Sequence, residues 1–382
     1  MAVRFVTVMA GLAGGVIFAI SCAYAADPNP AMSQPDMTAW RLFVAATRPA
    51  ATPARATFET WASDADTFND RPRWPAGEAE KVLINRLGGT RPRTQWASVP
   101  SATCVPGKIA LCVGKETRRN KAVFDFIVAN TLYTQRGLAA SSGTAISFPT
   151  DSIEVKAEWI PVDQLKAWNG VTAAQAPSLY YINTAATGGR TVPVALVALH
   201  LISKEVPNWT WATFEHWKNP GRCDDIGCRD DFGAVDAEVK ANAGPERGYP
   251  ACEHTGALKQ MFEAAGLGGI WLNYCLKGLQ TTYTTNTGEA VLLGNSVSET
   301  LHAAIVPPKS SCMTCHAQAA SDRDGKPAPV RFEVGVPKPS WFNGNGSPSS
   351  PQFRQTDFVW AVPLCAVSVE GISACAPPPA AN

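Results

Sequence analysis

The sequence predicts an α+β protein, in which a sheet-containing body is followed by a C-terminal helical segment. Three observations lead to this fold class. Residues between Ile153 and Trp217 show the alternation and the apolar runs that are typical of β-strands, whereas residues 37–46 and 257–265 repeat their apolar side chains at helical spacing. A further short helix is predicted after the proline pair at 307–308, in a C-terminal region rich in proline and glycine.

The first helix is predicted over residues 37–46. Trp40, Phe43 and Val44 recur there at helical spacing, and a proline at position 49 ends the pattern. The apolar run at 122–129 fits a helix or a strand, and its pattern does not decide between them.

The first clear strand is predicted over residues 153–159. Apolar and charged residues alternate there, in the order Ile153-Glu154-Val155-Lys156-Ala157-Glu158-Trp159. A period of two is expected for a strand that has one face in a core and the other face in water. A second, short strand is predicted at 180–182.

A longer strand over residues 192–203 is apolar on both faces and is therefore expected to be buried. After a turn at 206–208, residues 209–217 are predicted to form its hairpin partner. His200 and His216 have the same parity, so an even register would place them on one face. A slip of one residue would reverse this arrangement.

The chain is then helical in patches. After the helix at 257–265, a helix is predicted over 297–305, with Ser296 and Glu299 as a capping box. The prolines at 307–308 break it, and Ser310 or Ser311 can cap the next helix. Residues 356–369 are expected to form a strand or a short helix.

The helix after the proline pair reads Ser311-Cys312-Met313-Thr314-Cys315-His316. A short helix places the two thiols on one face, so both can add to the vinyl groups of a porphyrin, and the histidine that follows can bind the iron as proximal ligand. A disulfide or a zinc knuckle is the alternative, but zinc would need two more ligands at comparable spacing. The sequence therefore predicts one covalent haem c held by Cys312, Cys315 and His316.

The first 25 residues have the three parts of a secretory signal peptide. Arg4 supplies a basic start, residues 8–20 form an apolar run, and Ala23-Tyr24-Ala25 is a small-x-small cleavage site. The apolar run is short and rich in glycine for a membrane span. We expect cleavage near Ala25 and a periplasmic location, with lipid attachment at Cys22 as the alternative.

Composition limits the classes of partner. The formal net charge is +1 and the lysines and arginines are scattered, so no nucleic-acid partner is expected. No other apolar stretch is long enough to cross a bilayer, so no integral membrane segment is expected after signal cleavage. A redox partner protein or a small-molecule substrate is the expected partner.

The chain has eleven cysteines. Without Cys22 and the two of the haem motif, the rest fall into close couples: Cys104 with Cys112, Cys223 with Cys228, Cys252 with Cys275, and Cys365 with Cys375. An even remainder in an exported chain predicts disulfides, and we predict pairing within each couple. The acidic turn around Cys223 and Cys228 is alternatively a calcium loop.

Short motifs spread over most of the mature chain carry a family resemblance. They are WRLFVA at 40–45, EVKAEW at 154–159, VALHLISK at 197–204, WTWATFEH at 209–216, GNS at 294–296 with ET at 299–300, SCMTCH at 311–316 and TDF at 356–358. Together they resemble a family of exported bacterial proteins that are labelled cytochrome c family proteins. The resemblance implies a single haem c and no particular reaction.

The second axial ligand is the open question of this sequence. Ordinary small cytochromes c have a methionine well downstream of the haem motif, whereas no methionine follows Met313 here. The ligand must come from upstream, be a group other than methionine, or be absent. His302, His200 and His216 are the distal candidates, ahead of a methionine at position 261, and the alternative for each histidine is a residue satisfied by packing and hydrogen bonds.

Two functions follow from these expectations. The first is a periplasmic monohaem c-type cytochrome that transfers electrons. The alternative is a haem c enzyme of peroxidase or oxygenase type with an open distal site; a haem-based sensor or binding protein is a third class. The expected organisation is a signal peptide over 1–25, an α+β body over 26–290 and a haem c-binding segment over 291–382 that packs on the body.

Overall fold

A computed structural model describes residues 29–50, 55–76, 97–98, 112–141, 145–187, 190–241, 248–299, 309–344 and 352–375. The signal peptide expected at 1–25 lies outside the described residues. No helix in the described part of the chain has the length and apolar character needed to cross a membrane.

Short helices and strands alternate along these ranges. The helices are α1 (Pro30–Ser33), α2 (Pro35–Thr47), α3 (Asp64–Thr67), α4 (Lys121–Ala129), α5 (Gln135–Ala140), α6 (Leu165–Asn169), α7 (Ala176–Leu179), α8 (Gly256–Ala264), α9 (Cys312–Ala317) and α10 (Ala361–Cys365). The strands are β1 (Ala62–Ser63), β2 (Ala97–Ser98), β3 (Cys112–Arg119), β4 (Ile153–Pro161), β5 (Ile182–Thr187), β6 (Arg190–Ser203), β7 (Thr210–His216), β8 (Cys228–Arg229), β9 (Glu238–Val239), β10 (Tyr274–Gln280), β11 (Ala320–Ser321) and β12 (Arg354–Gln355).

A large antiparallel sheet is the centre of the protein. Its strands follow the order β1-β3-β4-β6-β7-β10, with β2 paired to β3 and β5 paired to β6. The pairings along this order are antiparallel. The sheet-rich α+β class predicted from the sequence is therefore confirmed, and α4 shows that the ambiguous run at 122–129 is helical.

One face of the sheet carries the main apolar core. Val155, Ala157 and Trp159 of β4 are fully buried on this face. They pack in one cluster with side chains of α2 and α8, including Trp40 and Phe43. The helical spacing that predicted α2 is thus the spacing of the residues that cover the sheet.

The opposite face of β4 is polar but is not in water, contrary to the sequence-based expectation. Glu154 is only 6% exposed and Glu158 is 0% exposed. We call residues 309–344 and 352–375 the C-terminal layer. This layer covers the polar face, where Met313 and Val359 join Trp211 in a second apolar cluster.

The register of the β6–β7 hairpin is odd. His200 lies opposite Thr213, and Leu199 lies opposite Phe214. Because side chains alternate along a strand, His200 and His216 are on opposite faces of the sheet. The even register that would bring them together is therefore not the one observed, and the reversed arrangement holds.

Three of the predicted cysteine couples are confirmed as disulfides: Cys223–Cys228, Cys252–Cys275 and Cys365–Cys375. The fourth predicted couple includes Cys104, which lies outside the described residues. The bonded couples close short loops on the sheet and on the C-terminal layer.

Candidate functional site

Helix α9 begins at the first cysteine of the predicted haem motif, and two side chains fix its start. Ser311 is the N-cap residue, and its hydroxyl accepts a hydrogen bond from the backbone N–H of Thr314 at 3.3 Å. Gln280 at the end of β10 donates to Ser311 Oγ at 2.8 Å and accepts from the backbone N–H of Met313 at 3.1 Å. The sheet therefore holds the first turn of α9 directly.

Both thiols of the motif line one cavity. Cys312 and Cys315 are not joined in a disulfide. Burial raises the pKa of Cys315 to about 11 and raises the pKa of Cys312 well above its ordinary value, so both thiols are protonated at neutral pH. The Cys312 thiol donates to the carbonyl of Leu293 at 3.4 Å.

The imidazole of His316 is oriented by the backbone of the C-terminal layer. Its Nδ1 lies 2.9 Å from the carbonyl oxygen of Phe358, so Nδ1 carries the proton and Nε2 keeps its lone pair. Burial lowers the pKa of His316 to about 4, which keeps the ring neutral at neutral pH. A ring nitrogen that donates to a backbone carbonyl is the usual way in which proteins orient a metal-binding histidine. The ring of Trp211 lies 4.5 Å from the His316 ring, centre to centre.

A cavity of about 470 Å³ lies between the polar face of the sheet and the C-terminal layer. This volume is within the range of about 300–1,000 Å³ that is common for ligand sites. The thiols of Cys312 and Cys315 and the ring of His316 line it. Its apolar lining includes Trp211, Leu293, Val330, Phe332, Trp360 and Leu364. Two thiols and an imidazole next to an apolar wall are the groups that would hold the haem predicted from the sequence.

Among the distal candidates, His200 reaches the cavity, and both of its ring nitrogens are engaged. The side-chain oxygen of Asn295 accepts hydrogen bonds from the backbone N–H groups of Val297, at 2.9 Å, and Ser298. Its amide nitrogen therefore faces His200 and donates to Nε2 at 2.8 Å. The other ring nitrogen, Nδ1, carries the proton and lies 2.8 Å from Thr213 Oγ1.

The charge of His200 follows from its surroundings. Burial lowers its pKa well below the ordinary value, and the positive charges of Lys156 and Lys115 lower it further. The ring is therefore neutral. Iron could bind Nε2 only after the amide of Asn295 moves away.

Of the other two distal candidates, His216 is not brought to the cavity. His216 lies on the far face of the sheet, stacked on Tyr180 with 3.7 Å between ring centres. Its Nε2 donates to the carbonyl of Leu179 at 3.0 Å, and its Nδ1 accepts from the backbone N–H of Lys218 at 3.2 Å. His302 lies outside the described residues.

A cluster of charged residues on the sheet faces the thiols, and the sequence did not indicate it. Lys115 from β3 and Lys156 from β4 donate to the same hydroxyl, Ser298 Oγ, at 3.0 Å and 2.9 Å. Glu158 lies 3.8 Å from Lys156 and 3.6 Å from His200. Burial raises the pKa of Glu158 to about 7, and burial together with the charge of Lys156 lowers the pKa of Lys115 to about 7. The alternating charges of β4 are the one signal of this cluster in the sequence, but the same pattern is typical of a solvated face.

The described residues contain no group of three or more His, Cys, Asp and Glu side chains that could hold a metal ion. The protein contributes two thiols and the imidazole of His316 to the cavity, together with the distal cluster of His200, Lys115, Lys156 and Glu158. Comparisons of the chain with family models, with curated proteins and with solved structures find no match.

Proposed function

We propose that this chain is an exported monohaem c-type cytochrome that transfers electrons through one covalently bound haem. The observation that carries the proposal is the joint placement of Cys312, Cys315 and His316 on one cavity, with His316 Nδ1 donating to the carbonyl of Phe358. That hydrogen bond leaves Nε2 available to iron. Three disulfides suit the oxidising compartment that export would provide.

Each residue of the motif has a separate task in this proposal. When bound, the haem supplies a one-electron redox couple. Cys312 and Cys315 would hold the haem through thioether bonds, and His316 Nε2 would bind its iron. Trp360 donates to the carbonyl of Cys315 at 2.9 Å and, with Gln280, keeps the helix in place. The apolar wall of the cavity excludes water, which limits the rearrangement that accompanies a change of charge.

The test is maturation of the exported protein in a bacterium that attaches haem c. The wild-type protein is expected to stain for haem on a denaturing gel and to give a reversible midpoint potential. A Cys312→Ala/Cys315→Ala variant is expected to lose the stain. A Cys223→Ala/Cys228→Ala variant, which removes a disulfide away from the cavity, is the matched control and should keep it. Colourless wild-type protein from a competent host would contradict the proposal.

The distal cluster favours a second candidate, a haem c enzyme with an open distal site. Distal polarity, hydrogen-bond donors and access decide whether a haem passes electrons or activates a ligand. Here His200 is hydrogen-bonded on both nitrogens, and Lys156 extends into the cavity with its side chain 36% exposed. Addition of carbon monoxide to the reduced protein and of cyanide to the ferric protein separates the candidates. Rapid binding with turnover of peroxide supports the enzyme, whereas an inert spectrum supports the electron carrier.

A further inference from the structure

Two lysines converge on one hydroxyl in the wall of the cavity. The Nζ atoms of Lys115 and Lys156 both donate to Ser298 Oγ, at 3.0 Å and 2.9 Å, so the two ammonium groups must be close to one another. Lys115 is only 4% exposed and Ser298 only 1%. Like charges this close repel, and burying them costs further free energy, so the pair is not explained by stability.

The turn at residues 295–298 holds this pair of lysines in place. Ser298 accepts from both lysines, and the same turn supplies Asn295, which orients His200. Lys156 and His200 lie directly opposite each other on paired strands. A lysine ammonium group has three N–H donors, and one from each lysine is used on Ser298. Donors therefore remain on both lysines, which line the cavity.

The neighbouring carboxylates balance these cations only in part. Glu158 lies 3.8 Å from the Lys156 nitrogen, and Glu299 lines the same cavity. Burial raises the pKa of both carboxyl groups, that of Glu158 to about 7, and burial with the charge of Lys156 lowers the pKa of Lys115 to about 7, so charges of both signs are reduced near neutral pH. An anion that enters the cavity would offset the repulsion between Lys115 and Lys156 and accept their remaining hydrogen bonds.

We infer that Lys115, Lys156 and Ser298 form a binding site for an oxyanion group inside the cavity. The inference rests on the proposed haem, because it places this group beside the porphyrin. Two sources share the chemistry: a small diffusible oxyanion, for which nitrite is a probe, and a carboxylate of the haem itself. A diffusible oxyanion would need the open distal site of the second candidate function. A haem carboxylate would fix the orientation of the porphyrin.

Calorimetric titration of the haem-loaded full chain with sodium nitrite tests the first source. If the wild-type protein binds nitrite, Lys115→Met and Lys156→Met are each expected to weaken the affinity about tenfold or more, because each removes a charged hydrogen-bond donor. Lys309→Met is the matched control, since this exposed lysine also lines the cavity. If Lys309→Met weakens the nitrite affinity equally, the effect comes from the overall positive charge of the cavity, and the proposed site is overturned.

Resonance Raman spectra test the second source. If nitrite does not bind, the bands of the haem carboxylates are expected to shift in Lys115→Met and Lys156→Met and to stay in place in Lys309→Met. If nitrite does not bind and the haem carboxylate bands do not shift either, the inference is overturned. Lys115→Arg keeps the charge and should keep the wild-type behaviour, and Lys156→Met carries the test if the buried Lys115→Met variant does not fold.

Failure of the proposed haem function can be distinguished from failure of the oxyanion site. Colourless wild-type protein would refute the haem, yet its calorimetric titration with nitrite would still report on the two lysines. Nitrite binding by colourless protein that is lost in Lys156→Met would support the oxyanion site alone. The absence of nitrite binding in colourless protein would overturn the site as well.

Discussion

Asn295 shows how one side chain can set the chemistry of another. Its oxygen is taken by two backbone N–H groups, so its nitrogen can only donate to His200, and this fixes which ring nitrogen of His200 carries the proton. Asn295 is fully buried, so none of these hydrogen bonds can be replaced by bulk water. The state of the distal histidine therefore depends on a residue that lies 95 positions away along the chain.

The Asn295→Ala variant tests this dependence. It removes the side-chain acceptor for the backbone N–H groups of Val297 and Ser298 and the amide donor to the Nε2 of His200, so the free energy of unfolding should fall by about 1–3 kcal/mol. Urea denaturation measures the change. The control is Asn130→Ala, because Asn130 is exposed and donates only to the nearby carbonyl of Phe126 at 2.8 Å; its effect should stay within about 0.5 kcal/mol. Similar losses in both variants would argue against the role of Asn295.

Asp36 gives a second prediction for a single residue, on the far side of the sheet from the cavity. It lies in the first turn of α2 and accepts from the backbone N–H of Asp231 at 2.7 Å. Burial raises its pKa from 3.8 to about 6, with a further contribution from the charges of Asp230 and Asp231. The folded protein therefore binds this proton more tightly than the unfolded chain. The resulting stabilisation is complete below pH 3.8 and is lost as the pH rises through about 6.

The Asp36→Asn variant mimics the protonated carboxyl group. It should raise the free energy of unfolding by about 1–3 kcal/mol near pH 8 and leave it unchanged near pH 3.5. Denaturant titrations at the two pH values measure the difference. The exposed Asp70→Asn substitution is the control and should have little effect at either pH. An equal gain for Asp36→Asn at both pH values would refute the linkage.

At the scale of elements, the sequence predicts where the helices and strands lie, but it does not predict what covers each face of the strands. The strands at 153–161 and 210–216 and the helix that starts at Cys312 match patterns that can be read over a few residues. The register of β6 against β7 could not be predicted, because β6 is apolar on both faces and both registers bury it. The burial of the polar face of β4 could not be predicted either, because the C-terminal layer that covers this face lies far away in the sequence.

The candidate site likewise has residues that the sequence predicts and residues that it does not. Cys312, Cys315 and His316 are contiguous, so their spacing alone identifies them. Their supports are not contiguous: Phe358 orients the imidazole and Gln280 holds the helix start. Contacts between distant segments leave no periodic signal in one sequence.

The start of α9 yields a prediction for an element. Ser311→Ala removes the N-cap and also one hydrogen bond of the buried Gln280 amide, which still donates to the carbonyls of Thr282 and Val291. Its cost should reach about 1.5–3 kcal/mol, because the loss of a buried hydrogen bond, about 1 kcal/mol, adds to the loss of a cap. Thr134→Ala removes the N-cap of α5, where the side chain accepts from Gly137 at 2.9 Å, and should cost only about 1 kcal/mol.

Thermal and urea unfolding of both variants measure this difference. Haem staining of Ser311→Ala adds a functional readout, since a frayed first turn would separate the two thiols and reduce covalent attachment. If Ser311→Ala costs no more than Thr134→Ala, the contact with Gln280 contributes nothing measurable, and the described anchoring of α9 is wrong.

For the whole molecule, the two faces of the sheet have different roles. The apolar face is closed by α2 and α8 around one continuous core. The polar face is closed by the C-terminal layer, which encloses a cavity of about 470 Å³ between itself and the sheet. The body can therefore be stable without an occupant in the cavity, whereas the C-terminal layer loses contacts on one side when the cavity holds only water.

Amide hydrogen exchange should reveal this asymmetry. In the Cys312→Ala/Cys315→Ala variant, which cannot hold a covalent haem, the amides of α9 and α10 are expected to exchange faster than in the haem-loaded protein. The amides of α2 and β10 should keep their protection, because the core on the apolar face is unchanged. The comparison is made by mass spectrometry on peptides from both layers. Faster exchange throughout the sheet would mean that the haem stabilises the whole fold, and unchanged exchange in α9 would mean that the C-terminal layer does not depend on an occupant of the cavity.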